Sequence, residues 1–297
     1  MNKLFPKLAL ALALTVAPVM PAMAASNTVV TDAIRNQQTK PHARVLVAQM
    51  EIKSDINPSN IAAATGGGLL GGLIQAAVDA DRTKKAEAAI APIRDQLAGF
   101  NADELAVAAT RAALAQSSWL QSAELSFSKD SSLTGKTGAL DSLGSDAVLF
   151  VEYSYDMSPD FSSVRLVAKM QLANKAVPKG KKPDARLSPK FLAFNQNATS
   201  IISLANPSKE RTENAARWNA NGAKLVKDAI AFGFKDFETL LPRGLALTAA
   251  DITAMNAKTN PKSVNAGFGG RVVETAPDRT LLWADGFIHV HGLPKEL

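Results

Sequence analysis

Two segments in the middle of the chain set the tightest limit on its fold. Across residues 146–156, Val148, Leu149, Phe150, Val151, Tyr153 and Tyr155 form an almost unbroken apolar and aromatic run. Ser158-Pro159-Asp160 follows as a turn signal. Across residues 163–173, Val164, Leu166, Ala168, Met170 and Leu172 then alternate with Arg165, Lys169 and Gln171. A period of two puts the first set on one face of a strand and the second on the other. The chain therefore needs an antiparallel pair with one covered face and one polar face.

The cover is expected from helices. Residues 82–100 carry Ala86, Ile90, Ile93 and Leu97 at helical spacing, with Pro92 expected to kink or divide the helix. Asn101 and Glu104 predict a capped start for a helix over 102–116, with Leu105, Ala108, Ala109 and Ala112 as its packing stripe. A long helix is expected after Pro207, packing through Ala215, Trp218, Leu225, Ala229 and Phe232. Further strands are expected at 43–53, 123–129 and 191–204, and residues 139–144 read as a short helix or turn. The 263–293 tail reads as a β unit with turns at Pro277-Asp278 and Asp285-Gly286. The class is α+β: a mixed or mostly antiparallel sheet packed by helices, with a small C-terminal β unit.

The first residues bear on compartment. Lys3 and Lys7 precede an apolar run from Leu8 to Val19, and Pro21-Ala22-Met23-Ala24 has the small-residue form of a signal-peptidase site. Residues 1–24 are expected to be a signal peptide cleaved on export to a periplasm. Residues 25–42 then form a mobile lead-in, 43–260 an α/β domain and 261–297 the β unit. The chain has no cysteine, which excludes disulfides, thiol chemistry and a lipid-attachment cysteine. With 46% hydrophobic and 20% charged residues it is far from the disordered range. The formal net charge is +6, and Lys3 and Lys7 supply two of those charges. The densest basic cluster, Lys179, Lys181, Lys182 and Arg186, lies among Pro and Gly residues and reads as a solvated linker. No nucleic-acid partner is expected.

Residues 56–78 carry no charge and centre on a Gly-rich core. Small residues recur every fourth position at Ala64, Gly68, Gly72, Ala76 and Ala80, a spacing that lets helices approach closely. Gly68, Leu69, Leu70, Gly72, Leu73 and Ile74 are the candidate contact residues for a membrane surface or an envelope partner. Residues 66–71 also satisfy the spacing of a dinucleotide loop, but a poor strand precedes them and a charged helix follows. Gly135-Lys136-Thr137 echoes the end of a phosphate loop, yet Asp130 stands where its first glycine is required. Neither carries a nucleotide, and no cofactor is expected.

His289 and His291 stand two apart on an expected strand, so both imidazoles face one side, as a metal site requires. Asp285, Glu274 and His42 are the candidates for a third ligand. Glu152, Asp156 and Asp160 are the acids from which a hydrolase could draw.

The segment Asp146-Ala147-Val148-Leu149-Phe150-Val151-Glu152-Tyr153, with the Asp160 turn and the long strand after it, resembles the periplasmic α/β domains of the curli-secretion-channel and lipoprotein-activator families. The chain is also similar to exported bacterial proteins with a Gly-rich stretch before an Ala-Glu-Ala-Ala-Ile-Ala-Pro-Ile-Arg-Asp helix, here residues 86–95. These likenesses imply a non-catalytic envelope protein, a binding or assembly factor. A periplasmic hydrolase, or a metal-binding protein using His289 and His291, stands as the alternative.

Overall fold

The computed structural model describes residues 29–36, 41–54, 69–143, 147–174, 192–257, 261–263, 269–284 and 286–292. The expected antiparallel pair is its centre. β4 (Ala147–Met157) and β5 (Ser163–Asn174) pair along their whole length, from Ala147 opposite Asn174 to Met157 opposite Val164. β6 (Leu192–Ser203) continues the antiparallel run on the far side of β5. On the near side of β4 lie β1 (His42–Leu46) and β2 (Lys53–Ser54), both parallel to it, and β3 (Glu124–Ser128) pairs parallel with β1. Beyond β6 come β10 (Gly286–Gly292), β9 (Arg279–Trp283), β8 (Gly269–Thr275) and β7 (Pro261–Ser263). β10 is parallel to β6, and the other contacts on that side are antiparallel. The result is one ten-stranded mixed sheet in the order β3-β1-β4-β5-β6-β10-β9-β8-β7, with β2 beside β4. The C-terminal strands extend this sheet through the β6–β10 pair.

The strand expected over 43–53 is interrupted. Between β1 and β2 the Gln49 side chain replaces the missing rungs: its amide donates to the Tyr155 carbonyl at 2.5 Å and accepts from the Tyr155 N–H at 3.1 Å. The buried backbone of β4 is thus satisfied without a strand beside it.

Helices cover mainly one face of the sheet: α2 (Leu69–Gln96), α3 (Ala102–Ala115) and α5 (Arg211–Ala246). The shorter α1 (Asp32–Asn36) reaches the Leu245 carbonyl through Arg35, and α6 (Ala249–Ala257) lies against β8. The main core joins these helices to Val164, Leu166, Ala168, Met170 and Leu172 of β5, the five residues that the alternation assigns to the covered face. On the opposite face α4 (Leu133–Ser142) lays Ala139 and Leu140 on Leu46, Val148 and Phe150.

Several helix limits differ from expectation. α2 begins at Leu69 and runs through Pro92 to Gln96, burying the expected Ala86, Ile90 and Ile93. Asn101 caps α3, its side chain accepting from the Glu104 N–H, but the buried stripe is Ala106, Ala109, Thr110, Ala113 and Leu114. Thr110 sits on that stripe because its hydroxyl bonds both the Ala106 carbonyl and the buried Tyr153 hydroxyl. α5 begins at Arg211, four residues after Pro207; Asn214 is the buried residue that accepts from the Ser208 N–H and donates to the Asp160 carbonyl.

Inside α5, Asn221, Gly222 and Ala223 take positive φ, which breaks the helix and re-phases it. The segment before the break buries Trp218, whose indole donates to the Phe161 carbonyl at 2.8 Å. The segment after it buries Val226, Ala229, Ile230, Phe234, Phe237, Leu240 and Leu241. Pro242 lies inside this second segment and cannot donate to the Glu238 carbonyl four residues back. Gln116, the C-cap of α3, supplies the missing donor at 2.9 Å.

α5 rests very close to the sheet. A Cβ at Gly233 would stand 2.6 Å from a Leu166 methyl, and one at Gly244 would stand 2.2 Å from the Gln196 amide oxygen. Gly233→Ala is therefore expected to destabilise the protein by about 2 kcal/mol through overpacking. Urea unfolding of this variant, alone and combined with Leu166→Val, checks the cause. The second change should recover part of the loss if the Leu166 contact is responsible.

Candidate metal centre

The two histidines of β10 and one acid of α5 converge between helix and sheet. β10 is flanked by β6 and β9, so its register is held from both sides. Alternation places Phe287, His289 and His291 on the helix-covered face. Asp236 lies about one turn beyond Gly233, and the absence of a Cβ at Gly233 lets that turn descend far enough for the short Asp side chain to reach β10. His289 Nδ1 lies 2.8 Å from one carboxylate oxygen of Asp236, and His291 Nε2 lies 3.0 Å from the other. The three side chains are only 7%, 8% and 5% exposed for Asp236, His289 and His291. The imidazole centroids are 4.2 Å apart, and the Phe232 ring meets His291 edge-on at 4.9 Å.

Burial alone would raise the Asp236 carboxyl. The hydrogen bonds and positive potential of the two histidines outweigh it and hold the group well below the usual carboxylate range. An ionised carboxylate can only accept, so the protons of these bonds sit on His289 Nδ1 and His291 Nε2. Without those protons the same three side chains form a two-imidazole, one-carboxylate donor set, with one ligand atom from each lying within 4.8 Å of the others. Zinc-class ions take such ligands at roughly 2.0–2.2 Å, which spaces tetrahedral donors roughly 3.3 Å apart. Reaching that spacing from donors up to 4.8 Å apart takes a small opening of the two hydrogen bonds and a closing of the two imidazole nitrogens toward each other. Beside His289, at the paired position on β6, the fully buried Ser200 has a hydroxyl with no hydrogen-bond partner among the described residues.

Two of the expected third ligands are elsewhere. Glu274 pairs with Arg243, and His42 lies on β1, with β4, β5 and β6 between it and β10. Asp285 lies outside the described residues. Asp236 escaped notice because nothing in local spacing ties a helical acid to a strand over fifty residues later. The available signal was an acid set among Ile230, Phe234, Phe237 and Leu240, the core positions of its own helix.

The other sequence candidates have local roles. Glu152 pairs with Lys136 at 2.7 Å, which places the Gly135-Lys136-Thr137 lysine inside α4 with its ammonium held by that acid and by Gln171. Asp156 takes a two-pronged contact from Arg165 across the β4–β5 pair. The Asp160 carboxylate accepts from the Ser162 N–H and the Ser158 hydroxyl of its own turn. Its partial burial raises its pKa, and these bonds more than offset that and lower it. Of the Gly-rich candidates, Gly68 lies outside the described residues, while Leu69, Leu70, Gly72, Leu73 and Ile74 belong to the first turns of α2. No helix among the described residues is long and apolar enough to cross a membrane.

Comparison with known protein families, curated proteins and solved structures gives no match to this chain. Fold and site together define a mixed α/β protein with a buried Asp–His–His cluster between its longest helix and a central strand.

Two outcomes test this description. Asp236→Ala leaves two buried imidazole donors without an acceptor and is expected to cost about 3 kcal/mol in urea unfolding at neutral pH. His42 provides a pH test away from the cluster. Burial, opposed by Glu124 and helped by Arg44, lowers its pKa from the ordinary 6.5. The unfolded chain therefore takes up this proton first as the pH falls. His42 contributes full stability above about pH 6.5, and that part is lost as the pH drops through its lower folded value. His42→Gln should flatten the acid side of the unfolding midpoint measured against pH.

Proposed function

We propose that this chain is a non-catalytic exported protein of the cell envelope that binds a divalent transition metal of the zinc class through Asp236, His289 and His291. The observation that carries the reading is the convergence of these three buried donors from α5 and β10. Two imidazoles and one carboxylate suit zinc and its neighbours better than calcium or magnesium, which favour all-oxygen shells. Burial of the donors favours retention of the ion over catalysis, since a catalytic metal keeps an open position for water and substrate. A bound ion would fasten α5 to β10 more firmly than the present hydrogen bonds do. The Ser200 hydroxyl beside His289, without a partner among the described residues, is a polar group suited to an ion's outer surroundings.

Export rests on the leader at 1–24, and contact with a membrane surface or envelope partner rests on the uncharged stretch from Ile56 to Val78. These belong to the same proposal.

The test is metal titration of the chelator-treated protein with elemental analysis. Wild type should take up one equivalent of Zn²⁺ or Co²⁺, and His289→Ala with His291→Ala should take up none. At about one hundred times the dissociation constant, binding should add about 2.7 kcal/mol of stability and raise Tm by roughly 5–10 °C. Equal uptake by both proteins, or uptake by neither, rules out the centre. For the envelope contact, deletion of residues 61–78 should release the protein from the membrane fraction without changing metal stoichiometry. An unchanged fractionation removes the contact.

A further inference from the structure

An ion of the zinc class takes four ligands in tetrahedral array, so Asp236, His289 and His291 leave one corner to fill. Strand register names the side chains that flank the two histidines. β6 sets Ser200 beside His289 and Ile202 beside His291, while β9 sets Leu281 beside His289 and Arg279 beside His291. Ile202 and Leu281 are apolar and buried in the main core. Arg279 is exposed, and a guanidinium only donates hydrogen bonds. Ser200 is the flanking residue that can accept one.

The direction of its side chain follows from the pairing. Ser200 stands opposite Leu166, so it points to the face covered by α5, the face from which Asp236 reaches β10. Ser200 is wholly buried, and its hydroxyl has no hydrogen-bond partner among the described residues. A buried hydroxyl without a partner destabilises a fold, whereas alanine in its place leaves nothing polar to satisfy.

On the metal-binding reading above, on which this depends, we infer that Ser200 holds a water molecule in the fourth position of the bound ion. A metal-bound water has two protons to place, and where bulk water is excluded it needs acceptors within the protein. The Ser200 hydroxyl accepts one of them. The Asp236 oxygen that does not ligate the ion accepts the other, in place of the imidazole donor lost when the histidines turn to the metal. Enclosed beside a wholly buried serine, this corner suits a water rather than a larger ligand.

Competition titration of the chelator-treated full chain with Zn²⁺ against a chromophoric chelator tests the role, together with Tm of the metal-free proteins. Ser200→Ala should still take up one equivalent but bind it about tenfold or more weakly, the range in which outer partners of metal ligands act. Without metal the same variant should melt at the wild-type temperature or above it, because it removes an unpartnered buried hydroxyl. A serine with a merely structural role would lower Tm as well. Gln196→Leu is the control: Gln196 lies on the same face of β6, is buried and has an amide without a partner among the described residues, yet it stands beside neither histidine. Its replacement should leave Zn²⁺ affinity unchanged. Ser200 has no such role if Ser200→Ala binds Zn²⁺ as tightly as wild type, if Gln196→Leu weakens binding as much, or if Ser200→Ala lowers the metal-free Tm. Those results leave the three-ligand centre standing, whereas no uptake by wild type strikes the centre and the role of Ser200 together.

Discussion

Helix α5 lies on β5 and β6 with glycine where a side chain would collide with Leu166 or Gln196, and much of the architecture follows from that close seat. It sets the depth at which Phe234 and Phe237 meet Tyr153, with ring centroids 5.4 Å apart in both contacts. It also brings an ionised carboxylate down to two histidines in a place with almost no water. An unpaired charge there would be costly, and the two imidazole donors offset the loss of hydration. The cluster therefore ties helix to sheet by electrostatics at a point where most of the surrounding contacts are apolar.

The strands were legible because their signal is local. Alternation through Val164, Leu166, Ala168, Met170 and Leu172 assigns a face wherever the partners lie, and the run from Val148 to Tyr155 has the density of a central strand. Both appear with nearly the expected limits, and the expected β tail contains β8, β9 and β10. The covered face matches because side-chain period in a strand is a matter of geometry, whatever the tertiary contacts.

The misses share a different cause. The packing face of α3 is turned from the expected one because a hydroxyl, Thr110, finds a partner in Tyr153, forty-three residues away. Proline in α5 is tolerated because Gln116, capping another helix, supplies a donor to the carbonyl left bare. The break at Asn221, Gly222 and Ala223 re-phases a helix whose apolar spacing reads as continuous. The candidate site divides in the same way. His289 and His291 were visible because period two brings them together; Asp236 was not, because only the seating of α5 makes it their neighbour. Local propensity cannot register a partner supplied by another element.

The strand carrying both histidines is the last one described along the chain, yet it sits between β6 and β9, deep within the strand order. Its parallel partner lies nearly ninety residues earlier, with Gly286 opposite Asn197. A polypeptide emerging from a ribosome or a translocation channel therefore cannot complete this sheet until β10 has emerged. Until then β6 presents an unsatisfied edge, and the N-terminal strands can associate only provisionally. Such topology, rich in pairings distant along the chain, makes slow, late closure the natural folding behaviour. It would suit a polypeptide that has to stay unstructured in transit.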